Sequence, residues 1–194
     1  MFNRIGVIGA GAMGRGIAQL FASSGQQVLI YDTRSEAIDD AIDFNRNLLK
    51  RSVAKGKLSE ADFEATMQRM QPAATLEALK DCDLVIEAIV EILEVKQKLF
   101  DQLEAIVRED CVLATNTSSL SVTRIASSCK RPQRIAGFHF FNPVPLMKIV
   151  EVVRGERTDE SVIQGLVELA ENAGHFAAIT PDTPGFLVNH AGRA

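Results

Sequence analysis

The stretch from Arg4 to Gly25, "RIGVIGAGAMGRGIAQLFASSG", constrains the fold more than any other part of the chain. A short β-branched run meets Gly9, Gly11 and Gly14 and continues as a helical pattern, so the segment reads as strand, tight turn and helix. Ala12 and Met13 fill the turn between the second and third glycines. Glycines in such a turn permit positive φ, let the backbone approach a pyrophosphate and let helix and strand pack closely, while the helix N-terminus offers free N–H groups to an anion. The next strand-like run, "QQVLIYD", ends at Asp32 and completes a βαβ unit. A carboxylate there accepts hydrogen bonds from a ribose diol and repels a 2′-phosphate, so the pattern points to NAD rather than NADP. Arg34 reads either as a phosphate contact or as a solvated loop side chain.

Beyond Ser35 the period becomes helical, with Ile38, Ala41, Ile42, Asn45, Leu48, Leu49, Ser52 and Val53 near one face. A second helical segment opens at "LSEADFEATMQRM", where Ser59 and Asp62 have the spacing of an N-terminal cap. Together they predict a helical hairpin over about residues 35–70. Strand and helix then alternate through "CDLVIEAIV", "EVKQKLFDQLEAIVRED", "CVLATN", "SVTRIASS", "RIAGFHF", "MKIVEVV", "DESVIQGLVELAENAG" and "HFAAIT". That alternation predicts an α/β fold with a doubly wound, mainly parallel sheet. Pro181, Pro184 and Gly185 punctuate the end. Residues 1–184 are expected to form one domain, and 185–194 a linker into a further segment.

Composition excludes several classes. With 46% hydrophobic residues and a formal net charge of -4, the chain has a core's worth of apolar residues and no basic stripe for nucleic acid or a membrane surface. Its three cysteines, Cys82, Cys111 and Cys129, form no CxxC, and an odd number cannot all pair within the chain. A reducing compartment, the cytoplasm, is expected. With strand-like residues from Ile5 no leader is expected, and no apolar run reaches the roughly 20 residues of a membrane span. No metal site is expected.

Chemistry concentrates at predicted strand ends, where open α/β sheets bind ligands. In "IEAIVE", Glu91 with Lys96 reads either as a pair of nicotinamide-ribose contacts or as residues that cap and solvate the next helix. "NTSSLS" crowds Asn116, Thr117, Ser118, Ser119 and Ser121 after a strand; Ser119 or Ser121 suits a helix cap, leaving Asn116 and Ser118 to meet a ligand. His139, in "HFFNPVP", reads either as a hydrogen-bonded core residue among Phe138, Phe140 and Phe141 or as a general base. Glu151, embedded in "KIVEVV", is the candidate carboxylate to hold its tautomer, against an alternative as a solvent-facing edge residue. The prolines around Asn142 predict a rigid turn.

Taken together, "GAGAMGRGIA", "IEAIVE", "NTSSLS", "HFFNPVP", "MKIVEVV" and "DTPGFLVN" resemble the L-3-hydroxyacyl-CoA dehydrogenases, in order and spacing, over essentially the whole chain. The resemblance implies a Rossmann-like fold and NAD-dependent oxidation of an L-3-hydroxyacyl-CoA to the 3-ketoacyl-CoA, as in fatty acid β-oxidation. It makes His139 the general acid/base and Glu151 its partner. Ser118 and Asn189 would orient the substrate oxygen, and Asp32, Glu91, Lys96 and Asn142 would contact the cofactor. By the same resemblance the hairpin looks like an arm for coenzyme A, and Lys55 and Lys57 read either as contacts to its phosphates or as solvated lysines. The resemblance further implies a C-terminal helical domain, expected beyond the residues of this chain, that completes the cleft and forms a homodimer. Two readings compete: a lysine-dependent β-hydroxyacid dehydrogenase, which would lack "HFFNPVP", and a non-catalytic relative keeping only the fold.

Overall fold

The computed structural model describes residues 2–186. Eight strands form one sheet in the order β3-β2-β1-β4-β5-β6-β7-β8. β1 (Arg4–Ile8) leads through α1 (Ala12–Ser23) to β2 (Gln27–Tyr31), which pairs parallel to it. α2 (Ser35–Ala54) and α3 (Glu60–Arg69) follow as the expected hairpin, then β3 (Met70–Pro72) on the sheet's edge. β4 (Leu84–Glu87), α4 (Leu93–Ile106), β5 (Val112–Thr115), α5 (Val122–Ala126) and β6 (Ile135–Phe140) extend the parallel sheet on the other side of β1. β7 (Ile149–Arg154) turns back antiparallel to β6, and α6 (Glu160–Asn172) returns the chain to β8 (Phe176–Pro181), parallel to β7. Strand order reverses between β1 and β4, and that switch point opens a crevice at the strands' carboxyl ends.

The central strands are apolar on both faces because helices cover both. Ile5 and Val7 of β1 and Ala136, Phe138 and Phe140 of β6 face one core, with Ile17, Leu20 and Phe21 of α1 and Ile163 and Leu166 of α6. Ile8, Val85, Leu113, Ile135 and Val153 face the other, against Phe100 and Leu103 of α4 and Val122 and Ile125 of α5. Phe21, Phe138 and Phe140 form an aromatic cluster, its ring centroids 4.6 to 6.2 Å apart.

The α2 face holds as read for Ile38, Ala41, Asn45 and Leu49, which are buried; Leu48 is exposed. Ser59 caps α3 by accepting the Asp62 N–H at 3.0 Å, and its hydroxyl donates back to the Asp62 carboxylate at 2.6 Å. Two details differ from expectation. Met70, read as the helix end, starts β3: its backbone leaves the helical region (φ -90, ψ 113) to pair with Val28. "CDLVIEAIV" contributes only Leu84–Glu87 as strand, since Glu87 turns back onto its own loop, accepting the Ile89 N–H at 2.8 Å.

Candidate active site

Three glycines build the first half of the crevice. Gly9 has φ +97, and a Cβ there would meet the Ala88 carbonyl oxygen at 2.5 Å; one on Gly14 would lie 1.7 Å from the Gly9 oxygen. Both requirements are internal to the fold: β1, β4 and α1 come together only where side chains are absent. Gly11 is different, because a Cβ on it would meet nothing within 4 Å. Its missing side chain leaves open the space directly before α1, whose N-terminus has no side-chain cap. Asp32 at the end of β2 accepts the Ala10 N–H at 2.8 Å through one oxygen and the Arg34 N–H at 3.0 Å through the other. The loop is thereby tied to the carboxylate. Gly9, Gly11, Asp32 and the exposed Arg34 line a cavity of about 530 Å³, whose opposite wall is Leu76, Val95 and Leu99.

A second cavity of about 340 Å³ is lined by Met13, Glu91, Asn116, Ser118, His139 and Asn142. Ala88 and Ile89 border both cavities, so the two form one track across the switch point. An anion cradle, a diol-accepting carboxylate and a track of two chambers fit a dinucleotide.

His139 and Glu151 are cross-strand partners in the β6–β7 register. Because side chains alternate along a strand, Phe138 and Phe140 point into the opposite core, and His139 shares a face with Glu151. The His139 Nδ1 lies 2.7 Å from a Glu151 carboxylate oxygen, with Glu151 wholly buried. Phe141 and Phe186 flank the imidazole, at ring centroids 4.5 and 5.9 Å. Glu151 is no edge residue, since β8 covers the far side of β7.

Asn116, after β5, accepts the Phe140 N–H at 2.9 Å and so hooks the end of β5 to the strand carrying His139. Ser118 and Asn142 are exposed at the cavity wall. Ser121 is the serine that caps α5, accepting the Arg124 N–H at 3.2 Å. Asp182, beyond β8, adds a second cap: it accepts the Ser121 hydroxyl at 2.7 Å and the Val122 and Thr123 N–H groups at 2.9 and 2.8 Å. Burial raises the Asp182 pKa, but these hydrogen bonds outweigh it and hold the carboxyl below its usual range.

Lys96 is not a solvated helix residue. At 1% exposure it lies under the cavity, its amine 2.5 Å from Glu87 and 3.1 Å from Glu91. Glu91, just before α4, also accepts the Thr117 hydroxyl and the Ser118 N–H, the latter at 3.0 Å. Burial pushes its pKa up; Thr117, Lys96 and Ser118 more than offset this, and the carboxyl stays below the ordinary value. Glu87, Thr115, Thr117 and Asp182 were not singled out from sequence as site residues. A carboxylate ending an apolar strand was the available signal for Glu87, and an acid after a strand end that for Asp182. Lys55 and Lys57 sit exposed in the α2–α3 turn, and Asn189 lies outside the described residues.

The order of strands, the glycine turn and the two-chamber crevice define a Rossmann-like dinucleotide-binding domain. Residues 4–182 match the family described as 3-hydroxyacyl-CoA dehydrogenase, NAD binding domain, and the chain belongs to that family. It is similar to a 3-hydroxyadipyl-CoA dehydrogenase of Escherichia coli strain K12, 47% identical over 97% of this chain and 40% of the relative. A 3-hydroxybutyryl-CoA dehydrogenase of Clostridioides difficile is 42% identical over 96% of this chain and 66% of that protein. The crystal structure of a 3-hydroxybutyryl-CoA dehydrogenase from Escherichia coli K12 superposes with a TM-score of 0.98 at 46% identity, covering 100% of this chain and 41% of that one. The chain thus spans about two fifths to two thirds of the length of these relatives. NAD is the cofactor of the domain. No helix among the described residues is long and apolar enough to cross a membrane.

Proposed function

We propose that the chain is the cofactor-binding and proton-transferring part of an NAD-dependent L-3-hydroxyacyl-CoA dehydrogenase that interconverts 3-hydroxyacyl-CoA and 3-ketoacyl-CoA. The single observation carrying this reading is the His139–Glu151 pair at 2.7 Å, opening on a cavity that continues into the glycine-turn cavity.

NAD, when bound, supplies the hydride acceptor or donor. The chain's own residues handle the proton. With Glu151 ionised, Nδ1 of His139 carries the hydrogen shared with that carboxylate, and Nε2 is left as the acceptor for the proton of the 3-hydroxyl. Glu151 then stabilises the imidazolium, and in the reverse direction Nε2 returns the proton to the keto oxygen. Ser118 orients that oxygen from the cavity wall, and Asn189 is assigned the same task. Gly9, Gly11, Ala12, Met13 and Gly14 bear on the pyrophosphate, Asp32 on the adenosine ribose, and Glu91, Asn116 and Asn142 on the nicotinamide half. Lys96 serves that half through Glu91. Lys55 and Lys57 are assigned to coenzyme A phosphates. The greater length of the relatives is where we place the rest of the substrate cleft and a homodimer contact. Three free, buried cysteines suit a reducing cytoplasm.

The test is NADH oxidation with acetoacetyl-CoA by the full product of the gene, wild type and His139→Ala. The variant should lose roughly 10²-fold or more of turnover, the scale of a positioned acid or base. Near-normal turnover in the variant, or NADH binding without any acetoacetyl-CoA reduction in the wild type, would overturn the reading.

A further inference from the structure

Glu87 is buried at 0% exposure, and proton transfer by His139 makes no use of it. Its two oxygens accept three donors: the Lys96 amine at 2.5 Å, the Ile89 N–H at 2.8 Å and the Thr115 hydroxyl at 2.8 Å. An ionised carboxylate suits that arrangement, having only acceptors to offer. Lys96 bridges from Glu87 to Glu91, whose carboxylate reaches the wall of the 340 Å³ cavity. Two carboxylates against one ammonium leave one net negative charge. Glu87 and Lys96 alone would form a neutral buried pair, so the extra negative charge sits on Glu91, whose side chain is 36% exposed at the cavity wall, where a bound cation can meet it. Among the described residues, Glu87 and Glu91 form salt bridges with Lys96 alone.

We propose that Glu87, Lys96 and Glu91 act as one charged unit that favours the oxidised, cationic nicotinamide over the neutral reduced ring. This inference rests on the assignment of the cavity to the nicotinamide half of NAD. Ala88 and Ile89, which line the cavity, directly follow Glu87, so its charge lies beneath the same wall that exposes Glu91. Glu87 is a positioning residue: it keeps Lys96 buried, and Lys96 with Thr117 and the Ser118 N–H fixes Glu91. His139 lines the same cavity with Glu151 buried behind it, and the pair is unchanged in every variant below.

The experiment is calorimetric titration of the chain with NAD+ and with NADH, comparing the ratio of the two Kd values. Glu87→Gln and Glu91→Gln keep the shape and remove one charge each; Thr115→Val removes a hydrogen-bond donor to Glu87 without changing the charge of the triad. In both charge variants NAD+ should weaken relative to NADH by about tenfold, the scale of one unit charge acting across a partly buried site. Thr115→Val should keep the wild-type ratio. Glu91→Gln alone carries the test should Glu87→Gln fail to fold. An unchanged ratio in Glu91→Gln, or an equal change in Thr115→Val, would overturn the charge mechanism while leaving NAD binding intact. Absence of binding of either nucleotide to the wild type would overturn the cofactor assignment and the inference together.

Discussion

His139 and Glu151 face each other because β7 runs antiparallel to β6 in the register that pairs these two positions. Their side chains leave the sheet on one face and meet at 2.7 Å, with the carboxylate sealed from water. In that setting Glu151→Gln keeps the shape of the pair but removes the charge proposed to stabilise the imidazolium. Turnover of the full gene product should fall by about 10- to 100-fold, as expected for losing a charge-assisted hydrogen bond, while the Kd for NADH stays within about twofold. Steady-state kinetics with acetoacetyl-CoA, paired with NADH fluorescence titration, separates the two effects.

Gly11 and Gly14 should respond oppositely to an added side chain. Gly14→Ala places a Cβ against the Gly9 carbonyl and should lower stability by about 3 kcal/mol, at the upper end of the range for overpacking, or prevent folding. At Gly11 an added Cβ meets nothing within 4 Å, so Gly11→Val should melt near the wild-type temperature, yet weaken NADH at least about tenfold by filling the cradle. Thermal denaturation alongside NADH titration checks both; unaltered NADH binding by Gly11→Val would remove that cavity from the cofactor path.

Asp32 holds Ala10 and Arg34 N–H groups as well as facing the cavity. Asp32→Ala should therefore raise the Kd for NADH by about 10- to 100-fold, the value of losing charged hydrogen bonds, and narrow its preference over NADPH. Titration with both nucleotides reads the two quantities separately.

Asp182 ties the segment after β8 to the N-terminus of α5. Asp182→Ala should cost about 1 kcal/mol near neutral pH, the usual value of a helix cap. The native pKa is lowered, so this contribution is present above the unfolded value of about 3.9 and is lost as pH falls through the native value. Urea unfolding of wild type and variant should differ at pH 7 and converge at the acid end.

The cysteines should be inert in the folded chain. Burial pushes the Cys82, Cys111 and Cys129 thiols up to about 11, 12 and 11, so almost no thiolate is present at pH 8. A thiol reagent should label none of the three rapidly in buffer and all three in guanidinium.

Some of this was legible in the chain because it depends on neighbours in sequence. The strand, glycine turn and helix from Arg4 to Ser23 follow from local periodicity and from where side chains are forbidden. Asp32 is legible as the acid closing the second strand, and Ser59 as a cap three residues from Asp62. The resemblance of "HFFNPVP" and "MKIVEVV" to one family implies the roles proposed for His139 and Glu151, although their spacing alone left a buried corner and a solvent edge open.

Only the tertiary structure brought the two residues together and excluded the solvent edge for Glu151. The antiparallel register of β6 and β7 put His139 beside Glu151, and β8 made an interior strand of what reads locally as an edge. Lys96, whose local sequence suits a solvated helix, became a buried bridge because β4 and the loop before α4 bring Glu87 and Glu91 to it. Met70 left its helix for a strand because Val28 offered unpaired backbone groups. Periodicity and steric exclusion act over a few residues and are written in the chain, whereas charge pairing and strand register are settled between segments that meet only when the sheet closes.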